Sequence, residues 1–223
     1  MGAMSAPSSG RQVPVRPVMR RPSPLDPATG TWAVIGAGTH GTAAQQALVA
    51  VGIPAIRYDR APAVDRADSA VDRRMGHEVI SVEEIEDIEA LAVTSRDVIT
   101  DEITTEYVSG VVIATGPYAD WSFIDPDTLN VVDGRPVLAH RMFTPRHPAI
   151  VLSGPDVTAG LERQAAVIAA YAAALRNNPR RALAFHRRAC ARLLPGYPRV
   201  VTDPVADQDY EAVLAADLAS LVP

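Results

Sequence analysis

Trp32-Ala33-Val34-Ile35-Gly36-Ala37-Gly38-Thr39-His40-Gly41 opens the folded part of the chain and runs on from Thr42 to Val51 in an Ala/Gln/Leu/Val-rich pattern. A short apolar run that enters a Gly-x-Gly-x-x-Gly turn and leaves as a helix is the first strand, turn and helix of a dinucleotide-binding βαβ unit. Each glycine has a task. Gly36 permits the tight turn, Gly38 lets the backbone approach a pyrophosphate, and Gly41 lets the helix lie close to the strand. The free N–H groups at the helix start, around Thr39 and His40, hold the anion. His40 stands at a position that either touches the pyrophosphate or faces water.

Gly52 ends this helix, and Ala55-Ile56-Arg57-Tyr58 supplies the second strand. Asp59 follows, twenty-three positions after Gly36, where the acid that receives ribose hydroxyls belongs, with Arg60 beside it. The same pattern also describes a βαβ unit that has lost its ligand, with Asp59 merely solvated at a strand end. Farther on, Gly110-Val111-Val112-Ile113-Ala114-Thr115-Gly116 and Ala149-Ile150-Val151-Leu152-Ser153-Gly154-Pro155 are unbroken apolar runs ending in glycine. Both read as buried parallel strands.

Between these runs the pattern is different. Asp65 to Met75 is polar and reads as helical or irregular, and four β-rich pieces follow, at Val79 to Val82, Glu89 to Thr94, Asp97 to Thr100 and Ile103 to Tyr107. Close spacing of short strands predicts an antiparallel meander inserted into the parallel sheet. The acidic run Glu83, Glu84, Glu86, Asp87 reads as a solvated turn. Helices are predicted over 160–176, from Pro179 through Leu194, and over 207–221. The basic stretch with Arg180, Arg181, His186, Arg187, Arg188 and Arg192 reads as one face of a packed helix, with a surface for phosphate or an acidic partner as the alternative. Residues 1–30, rich in Pro, Ser, Gly and Arg, read as a solvated arm, leaving 31–176 as the dinucleotide-binding domain and 177–223 as a helical extension.

Composition removes several chemistries. All 21 basic residues are arginine, so no lysine is present for a Schiff base or for a phosphate-binding P-loop, and lysine-assisted short-chain dehydrogenase chemistry is disfavoured too. Cys190 is alone, which leaves no internal disulfide, no CxxC pair and no cysteine metal site, so no metal is expected and the cytoplasm fits best. No apolar run reaches membrane-spanning length, and a net charge of −5 disfavours nucleic acid as the main partner.

The glycine stretch, Val111-Val112-Ile113-Ala114-Thr115-Gly116, and Pro145-Arg146-His147-Pro148 running into Ile150-Val151-Leu152-Ser153-Gly154-Pro155 together resemble flavin-containing and Baeyer–Villiger monooxygenases. The helix bearing Leu161-Glu162-Arg163-Gln164-Ala165 is similar to theirs as well, so the resemblance spans Trp32 to Arg176. It implies a three-layer, Rossmann-like α/β fold with a parallel sheet, an inserted β-meander and C-terminal helices. It also implies FAD as cofactor: pyrophosphate at Gly36 to Gly41, ribose at Asp59, the flavin end near Gly116 and Gly154-Pro155, and Arg60, Val82 and Thr115 along its length. His140 and His147 border the loop expected near the flavin.

The departures are informative. A second glycine motif, which the family carries on an NADPH domain, is missing, and so is the monooxygenase Phe-x-Gly-x-x-x-His signature, of which Met75-Gly76-His77 is at most an echo. A Gly-Gly pair after Asp59 is lacking too. The chain therefore reads as an FAD-binding redox protein, a minimal flavin monooxygenase that depends on a companion reductase or oxygenase subunit, or on another copy of itself, with NADPH acting only through that partner. Two alternatives stay open: a non-catalytic accessory subunit that keeps the fold, and a single-domain NAD(P)-binding oxidoreductase. No catalytic residue is assigned, and a small-molecule substrate is left unidentified.

Overall fold

β1 (Trp32–Ile35) is buried along its whole length and stands at the centre of a five-stranded parallel sheet. In the computed structural model the described residues are 30–61, 72–85, 90–116, 121–132, 135–154, 160–193 and 207–222; the arm read over 1–30 lies outside them apart from Gly30. From β1 the chain passes through α1 (Thr39–Ala50) to β2 (Ala55–Asp59) and then to β3 (Arg73–Met75). After the meander it returns on the other side of β1 as β7 (Gly110–Ile113) and then β10 (Ile150–Leu152), giving the order β10-β7-β1-β2-β3. Register along β1 is pinned on both flanks, with Ile35 opposite Tyr58 on β2 and opposite Ile113 on β7.

Side chains alternate between the two faces of a strand, so a doubly covered strand must be apolar at every position. Trp32 and Val34 join Val112, Val151, Leu48, Val167, Ile168 and Tyr171 in one core, whereas Ala33 and Ile35 join Val111, Ile113, Leu152, Val82, Leu91 and Val93 in the other. The first core is roofed by α1, α3 (Leu161–Asn177), α4 (Pro179–Cys190) and α5 (Asp207–Leu221). The second is covered by an antiparallel sheet of β4 (His77–Ile85), β5 (Ala90–Asp97) and β6 (Ile103–Val108). The molecule is thus the expected three-layer α/β, Rossmann-like fold, with a β-meander where many such folds carry a second layer of helices.

Short elements link these layers. α2 (Pro126–Leu129), started by the Asp125 side chain accepting the Asp127 N–H at 2.8 Å, precedes the two-residue strands β8 (Val131–Val132) and β9 (Arg135–Pro136). α4 buries Ala182, Phe185, His186 and Cys190 and leaves Arg187 and Arg188 exposed, as its pattern predicts. Among the described residues no helix is long and apolar enough to cross a membrane.

Three local readings are corrected. Arg73–Met75 is a strand, not helical or irregular, because it hydrogen-bonds along the free edge of β2, where polar side chains are tolerated. Asp97 ends β5 and Val98 to Thr100 is a turn, not a strand: the Asp97 carboxylate accepts the N–H groups of Ile99 and Thr100 at 2.8 and 3.0 Å, and Asp101 takes φ 57°. β-branched Val98 and Ile99 look like strand residues, but the Asp97 side chain decides the backbone. Glu83 and Glu84 lie within β4 instead of a turn; Glu86 and Asp87 are outside the described residues.

Candidate functional site

β2, reached through α1, and β7, reached after the meander, lie on opposite sides of β1, and this switch in strand order makes a crevice at the carboxyl ends of these strands. A pocket of about 580 Å³ lies there, within the range of ligand sites. Its floor is the glycine turn. At Gly36, with φ 113°, a Cβ would come within 2.5 Å of the Ala114 carbonyl oxygen, and one on Gly41 would reach 1.9 Å from the Gly36 oxygen. No side chain fits at either position. At Gly38, by contrast, a Cβ would meet nothing within 4 Å, so the space a side chain would fill is left open beside the backbone.

α1 begins at this open position. Gly38 is its N-cap, no side chain caps it, and its first turn has no acidic residue. The positive end of the helix and its leading N–H groups carry no side-chain cap and no acidic neighbour in the first turn, an arrangement that can receive an anion. Thr39, His40 and Gly38 all line the pocket.

Asp59 closes the turn against β2. One carboxylate oxygen accepts the Ala37 N–H at 2.6 Å and the other accepts the Ala61 N–H, also at 2.6 Å. Each oxygen retains lone-pair capacity for a ligand hydroxyl. Beneath the turn, buried Arg57 donates to Thr42 Oγ1 at 2.7 Å and Gln45 donates to the Ala55 and Asp72 carbonyls at 3.0 Å, which ties α1 to β2 and to the approach to β3.

The far wall comes from the meander and the later strands: His77, Glu78, Val79, Thr115, Gly116, Phe123 and Ser153. Arg60 reaches Glu78 at 3.6 Å, and Glu78 also holds Arg96 at 2.6 Å, which keeps the Glu78 carboxyl below the usual carboxylate range. Tyr58 donates to Glu106, which also pairs with Arg74 at 3.0 Å; burial, reinforced by the Glu106 carboxylate, pushes the phenol well above its ordinary range. Tyr58 is therefore a neutral donor that locks β2 to β3 and β6, not a base.

The structure thus gathers Gly36, Gly38, Thr39, His40, Asp59, Arg60, Thr115 and Gly116 around one pocket, with Gly41 packed beneath it and Gly154 against the His40 ring. Val82 lies elsewhere, buried between the layers and bridged to Ile124, and Pro155 falls outside the described residues. His140 pairs with Asp217 at 2.8 Å and His147 approaches Glu84 at 3.6 Å; neither lines the pocket. Ser153 and Phe123 were not singled out from the sequence as site residues, and His77 was noted only as the end of an echo of the monooxygenase signature. Ser153 directly precedes Gly154 and was within reach of the strand-end argument, whereas His77 arrives through the tertiary placement of the meander and Phe123 through the segment after β7 that pairs with Val82.

No family model matches the chain, and no curated protein matches it. Among solved structures, the S-allyl-L-cysteine S-oxygenase of Allium sativum superposes with a TM-score of 0.57 at 10% identity, over 85% of this chain and 88% of that one. The bacillithiol disulfide reductase of Bacillus cereus gives 0.34 at 18% identity, over 47% of this chain and 42% of that one. The thioredoxin reductase of T. acidophilum gives 0.33 at 18%, over 67% and 52%. The chain therefore spans only about half, or less, of the two reductases' lengths. At such identities the oxygenase likeness establishes a shared fold.

Proposed function

We propose that the chain is an FAD-binding redox protein of the flavin-monooxygenase type that relies on a companion subunit, or on a second copy of itself, for reduction or for completion of its active site. The observation that carries this reading is the glycine turn at the crevice: an open Gly38, an uncapped α1 and a carboxylate at the end of β2, all on one pocket. The fold shared with an S-oxygenase supports it.

In this reading the first turn of α1 and the backbone at Gly38 hold the diphosphate, Asp59 receives ribose hydroxyls while anchoring the turn, and Thr115 and Gly116 border the cofactor farther along. Bound FAD would supply the two-electron chemistry. The chain's own residues bind and orient it. Because the sequence has a single glycine fingerprint, hydride from NADPH would arrive through another protein. The test is to incubate the purified protein with FAD, desalt it, and add NADPH in air, alone and with candidate reductases. Retained flavin that bleaches and consumes oxygen only when a companion is present supports the proposal; flavin that does not survive desalting rejects it.

One observation favours the accessory reading. Both oxygens of Asp59 are already used by backbone N–H groups, which is what a purely structural acid would do. That reading predicts retained flavin or adenine nucleotide that no reductant turns over. Titration with NAD(P)H against FAD separates the NAD(P) alternative.

A further inference from the structure

His40 is held from behind by a buried chain of side chains that reaches the last helix. Its Nδ1 lies 3.3 Å from Ser153 Oγ, Ser153 Oγ lies 3.3 Å from Gln164 Oε1, and Gln164 Nε2 lies 2.6 Å from the Tyr210 hydroxyl. Ser153, Gln164 and Tyr210 are 2%, 0% and 1% exposed. The His40 ring has room only because Gly154 lacks a side chain: a Cβ there would fall 2.6 Å from the ring.

The polarity of this chain is set at its far end. The Tyr210 hydroxyl donates to the His140 carbonyl at 3.5 Å, so it accepts from Gln164 Nε2. Gln164 Oε1 then faces Ser153 and can only accept, which takes the single hydroxyl hydrogen of Ser153. Ser153 Oγ must therefore accept from His40, and the neutral His40 ring carries its proton on Nδ1. Its Nε2 is left with a lone pair, which cannot donate to a phosphate oxygen.

The geometry points to His40 as a proton-coupled ligand of the cofactor diphosphate: the ring takes up one proton at Nε2 when the anion binds, and Ser153, Gln164 and Tyr210 are positioning residues that keep Nδ1 a donor. This rests on the dinucleotide reading above. The proton comes from solvent, and no bond is otherwise made or broken.

The surroundings agree. α1 contributes no acid in its first turn. Across the pocket stand Asp59, Arg60, His77 and Glu78; the first turn of α3 carries Glu162 and Arg163; and α5 contributes Tyr210 and Asp217, the latter already paired with His140. Burial holds His40 below the ordinary imidazole range, opposed by the Gln164 side chain, which favours the neutral ring. A diphosphate brings the negative charge that reverses this.

The test is calorimetric titration of the whole protein with FAD between pH 6 and 9, in buffers of different ionisation enthalpy. FAD's diphosphate is fully ionised throughout, so any proton counted belongs to the protein. The expected result is net uptake approaching one proton, with Kd rising by up to about tenfold per pH unit between the free and bound His40 pKa values. His40→Asn, which keeps a donor for Ser153, should flatten that slope and remove the uptake. In the wild type, ¹⁵N shifts of the His40 ring should show one protonated nitrogen without FAD and two with it, a readout independent of any variant's folding. FAD binding with the same uptake in wild type and His40→Asn, or a ring that stays singly protonated, overturns the inference and leaves the dinucleotide reading intact. Failure of FAD to bind the wild type at any pH removes both.

Discussion

Asp59 and Ala37 are twenty-two positions apart, and the carboxylate of the first accepts the backbone N–H of the second at 2.6 Å. This bond fastens the glycine turn to the end of the neighbouring strand, so the acid shapes the site whether or not it also meets a sugar. Its other oxygen fastens Ala61, the start of the excursion toward β3.

Asp59→Asn keeps the shape but replaces one acceptor oxygen with an amide that faces a backbone N–H. Hydrogen bonds to a charged group are worth about 1.5–3 kcal/mol, so Tm should fall by about 3–12 °C and FAD should bind more weakly. Thermal melts and FAD titration of the variant check both. An unchanged Tm would mean that the turn is held by the glycines alone.

Gly38 and Gly41 should separate binding from folding. Gly38→Ala adds a methyl where nothing lies within 4 Å and where φ is −65°, so its stability should stay within about 0.5 kcal/mol of wild type while FAD retention drops. Gly41→Ala drives a Cβ to 1.9 Å from the Gly36 oxygen and must displace α1 or β1, so loss of the folded state is expected. Circular dichroism melts of the two variants, paired with flavin absorbance after desalting, give the comparison.

Acid should destabilise the protein through one buried and two half-buried histidines. Burial holds His40, His147 and His186 below the ordinary imidazole range, with Glu84 opposing it at His147 and the Thr144 carbonyl at His186. The unfolded chain takes up protons near pH 6.5 while the folded chain resists them, so protonation favours unfolding. This contribution is complete above about pH 6.5 and is lost as pH falls toward the depressed folded-state values. Tm should decline between pH 7 and 5, and less steeply with FAD bound if His40 is then already protonated. A flat Tm across this window would contradict the assignment.

Tyr210→Phe removes the acceptor of Gln164 Nε2 in a fully buried setting, a loss of about 1–3 kcal/mol. Because the same chain orients His40, the variant should also weaken FAD binding although Tyr210 does not line the pocket. Parallel measurement of Tm and FAD affinity tests this; a fall in Tm with unchanged affinity would confine Tyr210 to holding α5.

What was legible in the sequence was local. Trp32 to Asp59 declared itself because strand, turn, helix, second strand and acid follow one another without interruption, and each fixes the next by short-range geometry. Val111 to Ile113 and Ile150 to Leu152 were equally plain, since a strand covered on both faces cannot hide its apolarity. Arg73–Met75 was not, because a polar edge strand exists only through its pairing with β2. The turn at Asp97 was missed because one carboxylate outweighed the β-preference of two neighbours. The chain from His40 to Tyr210 joins four separate segments, and no spacing in the sequence reports it.

Whether the crevice holds a dinucleotide is decided by flavin retention. Wild-type protein saturated with FAD and desalted should keep close to one flavin per chain, and Gly38→Ala, equally folded, should keep much less. Wild-type protein that emerges free of flavin, or a Gly38→Ala variant that retains as much as wild type, would contradict the assignment of this turn as the cofactor's seat.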